Sequence, residues 1–290
     1  MKEVDPNLRR KLAAFAQNVL ERHDLLSFPV NVKKLAHLKG IDTAPMASDQ
    51  TGISGMLARV GDSFGILYAT YANNEGFERF SISHELGHYF LEGHLDQISF
   101  KDDIFHFSHA GFVSDEAFER EADFFAAGLL LPSKLAKREI ASTMEGLASI
   151  QRLRRRANAS FTASSIRYAQ ITDDPVAVIC SARGLIQFCF PSDGLQDVQS
   201  NLWIELGTAV PASSATWVMA NGDAEKRIGK RSESISCLSD WFPDTRPLQV
   251  REEVVGLGFQ DRIMTILSAL NHPDEDDEED LEERWTPRFR

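Results

Sequence analysis

The stretch FSISHELGHYFLEG, residues 80–93, constrains the fold of this 290-residue chain more than any other feature. His84 and His88 are four residues apart, so on a helix they lie about one turn apart on the same face. Imidazoles with this HExxH spacing are typical of zinc ligands, and Glu85 is then placed to act as a general base rather than as a ligand. The alternative interpretation is a buried, hydrogen-bonded histidine pair without a metal ion.

A second predicted helix, residues 114–131, ends before Pro132 and is rich in acids. Glu119 and Asp123 are four residues apart on one face. This spacing favours Glu119 as the third metal ligand and Asp123 as the acceptor for the free N–H of a ligand histidine. Glu121 lies about 200° around the helix from Glu119, so the two cannot face the same ion.

Other ligands remain open from the residues alone. Glu116 lies nearly one turn before Glu119 and is an alternative third ligand. One of His94, His106 and His109 would instead complete a three-histidine site. His106, His109 and a tyrosine such as Tyr71 are also candidates for stabilising an oxyanion, but no spacing selects one of them.

The chain before this motif predicts two helices and a hairpin. Apolar residues recur at helical spacing in residues 8–23 and again in a shorter segment after Asn31. Residues 53–60 and 64–71 are β-prone runs joined across Gly61-Asp62, and either run could offer the edge that pairs with an extended substrate.

The start of the motif helix is predicted from the residues that follow the hairpin. Asn73, Asn74 and Gly76 interrupt the pattern, so we expect the helix to begin at about Ser81.

The segments FSISHELGHYFLEGH and EREADFFAAGLLLP resemble the signature of the ImmA/IrrE family of metallopeptidases, a branch of the gluzincin-like zincins. The family pairs HExxH with a glutamate in ExxxN or ExxxD ahead of an FAA-LLMP stretch, and Leu131 stands where methionine is usual. The resemblance implies a zincin-like domain with a small antiparallel sheet and two active-site helices. It also implies one zinc ion per chain, with His84, His88 and Glu119 as ligands, Glu85 as the catalytic base and Asp123 as the partner of a ligand.

Relatives of this family cleave or antagonise helix-turn-helix repressors. The resemblance therefore implies a zinc endopeptidase that hydrolyses a peptide bond in such a repressor and so regulates gene expression, in a stress response, mobile-element control or a toxin–antitoxin circuit. A purely structural zinc site is disfavoured because HExxH with one glutamate leaves the fourth position open.

Beyond residue 133 the pattern changes twice. We expect an α+β protein with a zincin-like domain at 1–133, a helical, helix-turn-helix-like segment at 134–174 and a β-containing module of unassigned role at 175–272. Within that module, residues 261–270 are predicted to be helical. Residues 273–290 contain nine acids and three arginines, which account for half of the net charge of −12 and predict a disordered tail.

The helical segment is locally basic, which supports a competing interpretation. Residues 134–167 contain eight basic and two acidic residues, and four of the basic residues lie in the run RLRRRAN. A DNA-binding or sensor regulator with a vestigial zincin domain would explain this charge. A solvated helix face or a docking surface for an acidic partner explains it equally, so we do not expect DNA to be the main partner.

Cysteine usage and hydropathy predict the compartment. Three cysteines without CxxC spacing suggest neither a disulfide framework nor a cysteine-ligated metal. The charged N-terminal residues lack the apolar run of a signal peptide, and no stretch approaches the ~18 apolar residues of a membrane span. We therefore expect a cytoplasmic protein without a membrane partner.

Overall fold

The computed structural model describes residues 6–46, 52–70, 74–97, 105–108, 116–141, 146–223, 225–257 and 261–270. The chain divides into unit 1, Met1–Ser142 with Gln151–Arg167, and unit 2, Thr143–Ile150 with Tyr168–Arg290. The segment 134–174 is thus shared between the two units. The tail predicted at 273–290 lies outside the described residues.

Unit 1 combines helices with one small sheet. Its elements are α1 (Pro6–Arg22), α2 (Val32–Leu38), β1 (Ile41–Pro45), β2 (Gly55–Val60), β3 (Ser63–Tyr68), α3 (Glu75–Phe90), α4 (His94–Gln97), β4 (Phe105–Ser108), α5 (Ala117–Leu130) and α6 (Ser133–Ile140). Helices α7 (Leu147–Ala157) and α8 (Phe161–Ile171) have residues in both units. The predicted N-terminal helices, hairpin and acidic helix are confirmed by α1, α2, β2, β3 and α5.

The first helix packs closely against α5. The apolar face of α1 buries Ala13, Ala16 and Leu20. A Cβ at Gly128 of α5 would lie 2.6 Å from Cα of Ala13, so only glycine lets the two helix backbones approach this closely. This contact anchors α5, the helix that contains the predicted carboxylate ligand.

The sheet of unit 1 has the order β1-β3-β2-β4. The β2–β3 and β2–β4 pairs are antiparallel, whereas β1 pairs with β3 in parallel, so the sheet is mixed rather than wholly antiparallel. The expectation that β2 or β3 offers a free edge is wrong, because each has a neighbouring strand on both sides. Among the described strands, β4 and β1 form the edges of this sheet.

Helix α3 begins six residues earlier than the sequence predicted. Asn74 is its N-cap, and the side-chain oxygen of Asn74 accepts a hydrogen bond from the Phe77 backbone N–H. Gly76 lies in the first turn of the helix. A Cβ at this position would come within 3.1 Å of the backbone nitrogen of Ser160, so glycine suits this close contact. Both residues resemble turn formers in the sequence, but here they cap and pack the helix.

Unit 2 is built on a second sheet. Its remaining elements are β5 (Val176–Ala182), β6 (Leu185–Pro191), α9 (Asp193–Val198), α10 (Ala215–Ala220), β7 (Arg231–Cys237), α11 (Leu238–Trp241), β8 (Gln249–Gly256) and β9 (Arg262–Ala269). The strand order is β6-β5-β9-β8-β7, and all four pairings are antiparallel. The predicted strands VAVIC and LIQFCF are confirmed by β5 and β6.

The helix predicted at residues 261–270 is wrong, because this segment is strand β9 at the centre of the sheet. Residues 263–268 are all buried, so both faces of the strand are covered. A strand covered on both faces lacks the apolar–polar alternation that distinguishes a strand from a helix in the sequence.

The structure confirms the α+β class, with helices around two separate sheets. Within the described ranges, no helix combines the length and the apolar character that crossing a membrane requires.

Candidate metal centre

Helix α3 presents two imidazoles side by side on a fully buried face. His84, Glu85 and His88 are each 0% exposed. The Nε2 atoms of His84 and His88 are 3.1 Å apart, and the ring centroids are separated by 4.8 Å. The four-residue spacing therefore brings both rings to one point, as the helical periodicity predicts.

Helix α5 adds a carboxylate at the same point. Glycine at position 87 permits the close helix contact, because a Cβ there would lie 3.0 Å from Cα of Ala122. Glu119 Oε2 lies 3.2 Å from His84 Nε2, and Glu119 Oε1 lies 3.4 Å from His88 Nε2.

These three side chains fit a metal ion. His84, His88 and Glu119 form the single such group of His, Cys, Asp or Glu found among the described residues. Ligand atoms that bind one ion tetrahedrally at ~2.0–2.2 Å lie about 3.3–3.6 Å apart. The observed separations of 3.1 to 3.4 Å are close to this spacing, so the group could hold one ion.

Asp123 orients the first imidazole from behind. Its Oδ1 lies 2.8 Å from His84 Nδ1, so that nitrogen donates its hydrogen and Nε2 faces the metal group. Burial lowers the pKa of His84, but hydrogen bonds to Asp123 and Glu119 and the nearby Glu85 charge outweigh it and raise the pKa to about 10. Without a metal, His84 thus keeps a proton that a bound cation would displace.

Glu85 lies against the sheet, next to the first residue of β2. A Cβ at Gly55 would lie 2.5 Å from Glu85 Oε1, so glycine provides the room that this carboxylate occupies. Sequence reasoning missed Gly55. An isolated glycine in a strand pattern indicates a close approach by another group, and this signal could have identified it.

The structure separates the alternative ligands from this group. His94 is buried, but it contacts His88 Nδ1 at 3.1 Å, on the side of the ring that faces away from the metal group. Glu121 lies 3.2 Å from His94 Nε2 and is not a member of the His84–His88–Glu119 group. Burial lowers the pKa of His94 despite the neighbouring Glu121 carboxylate.

The remaining candidates are less informative. Glu116 occupies the N-cap position of α5 and makes no side-chain capping hydrogen bond there. The backbone of His106 belongs to β4, but its side chain is not described, and His109 and Tyr71 lie outside the described residues. The role of stabilising an oxyanion stays unassigned.

A buried His–His–Glu group on two packed helices beside a small sheet is an arrangement that metal-dependent hydrolases use. Residues 38–168 match the family model described as Peptidase_M78, IrrE N-terminal-like domain. The match covers slightly less than half of the chain and is consistent with the resemblance of its motifs to the ImmA/IrrE family.

The fold extends beyond this domain. The chain is similar to a solved structure described as a Mycobacterium tuberculosis transcriptional regulator, over 93% of this chain and 82% of the other, with a TM-score of 0.57 and 16% identity. At this identity the likeness supports the fold alone. Among curated proteins, no sequence matches the chain.

Proposed function

We propose that unit 1 is a zinc-dependent endopeptidase in which His84, His88 and Glu119 hold one zinc ion and Glu85 is the general base. The observation that supports it most strongly is the buried His84–His88–Glu119 group with the Glu85 carboxylate on the same helix. Three protein ligands leave one coordination position open, which is the arrangement of catalytic zinc sites.

The chemistry follows from the positions of these side chains. A zinc ion held by His84, His88 and Glu119 would supply Lewis acidity at this point. Glu85 accepts the proton of the attacking water and delivers it to the amine that leaves when the peptide bond breaks. Asp123 holds His84 in the tautomer that keeps its Nε2 lone pair toward the ion.

An edge of the sheet lies next to this centre, and a sheet edge can pair with an extended peptide. Strand β4 lies at an edge of the described sheet, and its Ser108 is paired with Gly55, the residue against Glu85. We propose that the substrate segment adds to this edge as a further strand, so that its backbone extends toward the metal centre.

The proposed substrate is a helix-turn-helix transcriptional repressor, whose cleavage would change gene expression. The support for this class of substrate is the resemblance of the HExxH and acidic-helix segments to the ImmA/IrrE family, whose relatives cleave or antagonise such repressors. The match of residues 38–168 to the IrrE N-terminal-like domain is consistent with that resemblance.

Replacing Glu85 with glutamine tests this proposal directly. The amide keeps the shape of the side chain but cannot accept the proton of water, so Glu85→Gln should retain zinc while cleavage falls about 10²–10⁴-fold. Zinc is measured by metal analysis, and cleavage is measured with a helix-turn-helix repressor encoded next to this gene. Glu92→Gln makes the same chemical change at an exposed position and should leave both quantities unaltered.

The same variant separates peptidase from binding activity. In cells, Glu85→Gln should fail to relieve repression while it captures the intact repressor. If the variant relieves repression as well as the unaltered chain does, the protein acts by binding its target, and the peptidase proposal is wrong.

The second candidate is a DNA-binding or sensor regulator with a vestigial zincin domain, in which the module at 175–272 would sense a signal. Exposed Arg154 and Arg155 favour it. Arg152 and Arg156, however, both pair with Glu139, at 3.0 and 3.1 Å. DNA binding that weakens with salt and with Arg154→Ala would support this candidate, and no binding at low salt would eliminate it.

A further inference from the structure

A row of three polar side chains, His88, His94 and Glu121, extends from the metal group toward the surface of unit 1. His88 Nδ1 lies 3.1 Å from His94 Nδ1, and His94 Nε2 lies 3.2 Å from Glu121 Oε2. His88 and His94 are fully buried or nearly so, at 0% and 2% exposed, whereas the Glu121 side chain is 32% exposed. This row of side chains thus begins at the ring of a metal-group histidine, on the side away from the metal group, and ends at a carboxylate that water reaches.

Local backbone geometry places His94 behind His88. Helix α3 ends at Phe90, and Gly93 follows with a φ of +80°, a conformation that favours glycine. This turn directs the chain back so that α4 begins with His94. The Phe118 ring then packs against both imidazoles, with centroid distances of 5.7 Å to His88 and 6.2 Å to His94.

With Glu121 as a carboxylate and His94 neutral, these contacts admit one arrangement of hydrogens. An ionised carboxylate only accepts, so His94 Nε2 must donate to Glu121. Neutral His94 then has a lone pair on Nδ1, and His88 Nδ1 must donate to it. His88 is left with a lone pair on Nε2, the atom that faces His84 and Glu119.

We propose that His94 and Glu121 are positioning residues that hold His88 in the tautomer and orientation required for metal binding. This inference rests on the proposed function insofar as the metal group must hold an ion. Glu121 acts through His94, and His94 acts through His88. The two ligand histidines are therefore supported differently, because His84 donates directly to the Asp123 carboxylate at 2.8 Å.

The first test measures zinc affinity by competition with a chromophoric chelator. His94→Ala and Glu121→Ala should each weaken zinc binding about 10–100-fold, the usual effect of losing a hydrogen-bond partner of a ligand histidine. Since the two residues act in series, Glu121→Ala should cost less than about threefold in a His94→Ala background. Independent, additive losses of zinc affinity in the two variants would contradict the proposal that Glu121 acts through His94.

Conservative and control variants separate this role from simple folding. Glu121→Gln should stay within about threefold of the unaltered chain, because an amide oxygen still accepts from His94 Nε2–H. Glu92→Ala removes an exposed carboxylate two residues from His94 and should have no effect. The visible spectrum of the cobalt-substituted protein should change in His94→Ala and remain unchanged in Glu92→Ala, because only the former alters the ligand field at His88.

A second test needs no substitution. Long-range proton–nitrogen correlation spectra of the zinc-loaded, nitrogen-15-labelled protein report which ring nitrogen of each histidine carries hydrogen. We expect hydrogen on Nδ1 of His88 and on Nε2 of His94. Hydrogen on Nδ1 of His94 would overturn the proposal, because that nitrogen could no longer accept from His88.

The outcomes also separate this inference from the proposed function. If the unaltered chain binds no zinc, the proposed function fails, and His88 is not a ligand that His94 and Glu121 could position. If the unaltered chain binds zinc and the His94 and Glu121 variants bind it equally well, only the positioning role of these two residues is wrong.

Discussion

Unit 1 and unit 2 each bury a carboxylate, but they surround it with different partners. In unit 1, Glu119 faces two imidazoles at 3.2 and 3.4 Å. In unit 2, Glu252 of β8 is 0% exposed and accepts hydrogen bonds from the Thr216 backbone N–H at 2.9 Å, the Thr216 hydroxyl at 2.7 Å and the Ala215 N–H at 3.2 Å. Both carboxylates are therefore satisfied, although by different chemistry.

The two carboxylates differ in whether the hydrogens on their partners can be replaced by a cation. The donors around Glu252 are backbone and hydroxyl groups, which keep their hydrogens at neutral pH, so this carboxylate connects β8 to the start of α10 and to Ser234 of β7. The nitrogens around Glu119 can give up hydrogen and bind a cation instead. Burial of a charge thus does not identify a functional site, whereas the type of partner does.

The largest expected effect is loss of the ion from unit 1. His84→Ala should reduce bound zinc from about one ion per chain to nearly none, because two remaining protein ligands hold zinc poorly. Metal analysis after dialysis measures this loss. Glu252→Gln is the matched control, since it changes a buried carboxylate in unit 2 and should retain the ion. Full zinc retention by His84→Ala would show that the metal binds elsewhere.

The next effect is on the stability of unit 2. Glu252→Ala leaves two backbone N–H groups of α10 without their acceptor and should lower the free energy of unfolding of this unit by about 3 kcal/mol. All three cysteines of the chain lie in unit 2. Cys180 is fully buried, and burial raises the pKa of its thiol to about 11, so this thiol resists alkylation at pH 8 until the unit opens.

The alkylation rate of Cys180 therefore measures the opening of unit 2. It should rise in Glu252→Ala and remain unchanged in His84→Ala, which alters unit 1. An equal rise in both variants would mean that the contrast between the two carboxylates does not hold.

The smallest expected effect is at Gly55. A methyl group at this position would lie 2.5 Å from Glu85 Oε1 and would displace the carboxylate, so Gly55→Ala should lower cleavage about 10–100-fold while zinc stays bound. Gly65→Ala on the neighbouring strand is the control, because a Cβ there would meet only a backbone oxygen at 3.8 Å. Normal cleavage by Gly55→Ala would show that the position of the Glu85 carboxylate does not matter for cleavage.

Much of the metal group could be predicted because its residues are close in sequence or lie on one helix face. The spacing of His84 and His88 requires only a helix, and the angle between Glu119 and Glu121 requires only the helical repeat. Both inferences concern local geometry. The structure brings His84, His88 and Glu119 together, which requires in addition that α3 packs against α5, and Glu121 is not a member of this group.

Other features depend on contacts between distant segments. Nothing in the sequence near Gly55 indicates that Glu85 lies against it, because that contact joins a strand to a helix 30 residues later. The central position of β9 is similar, since burial on both faces removes the alternation that would have indicated a strand.

The sequence by itself thus determined the spacing of the histidines, the acidic helix and the family that both resemble, because helical periodicity turns spacing into direction without knowledge of the rest of the chain. Only the tertiary structure decided that β2 pairs with a strand along both of its edges, that Gly55 provides space for Glu85, and that His94 contacts His88 Nδ1. Those features depend on which surfaces pack together, and packing is decided by the whole set of buried contacts rather than by any one segment.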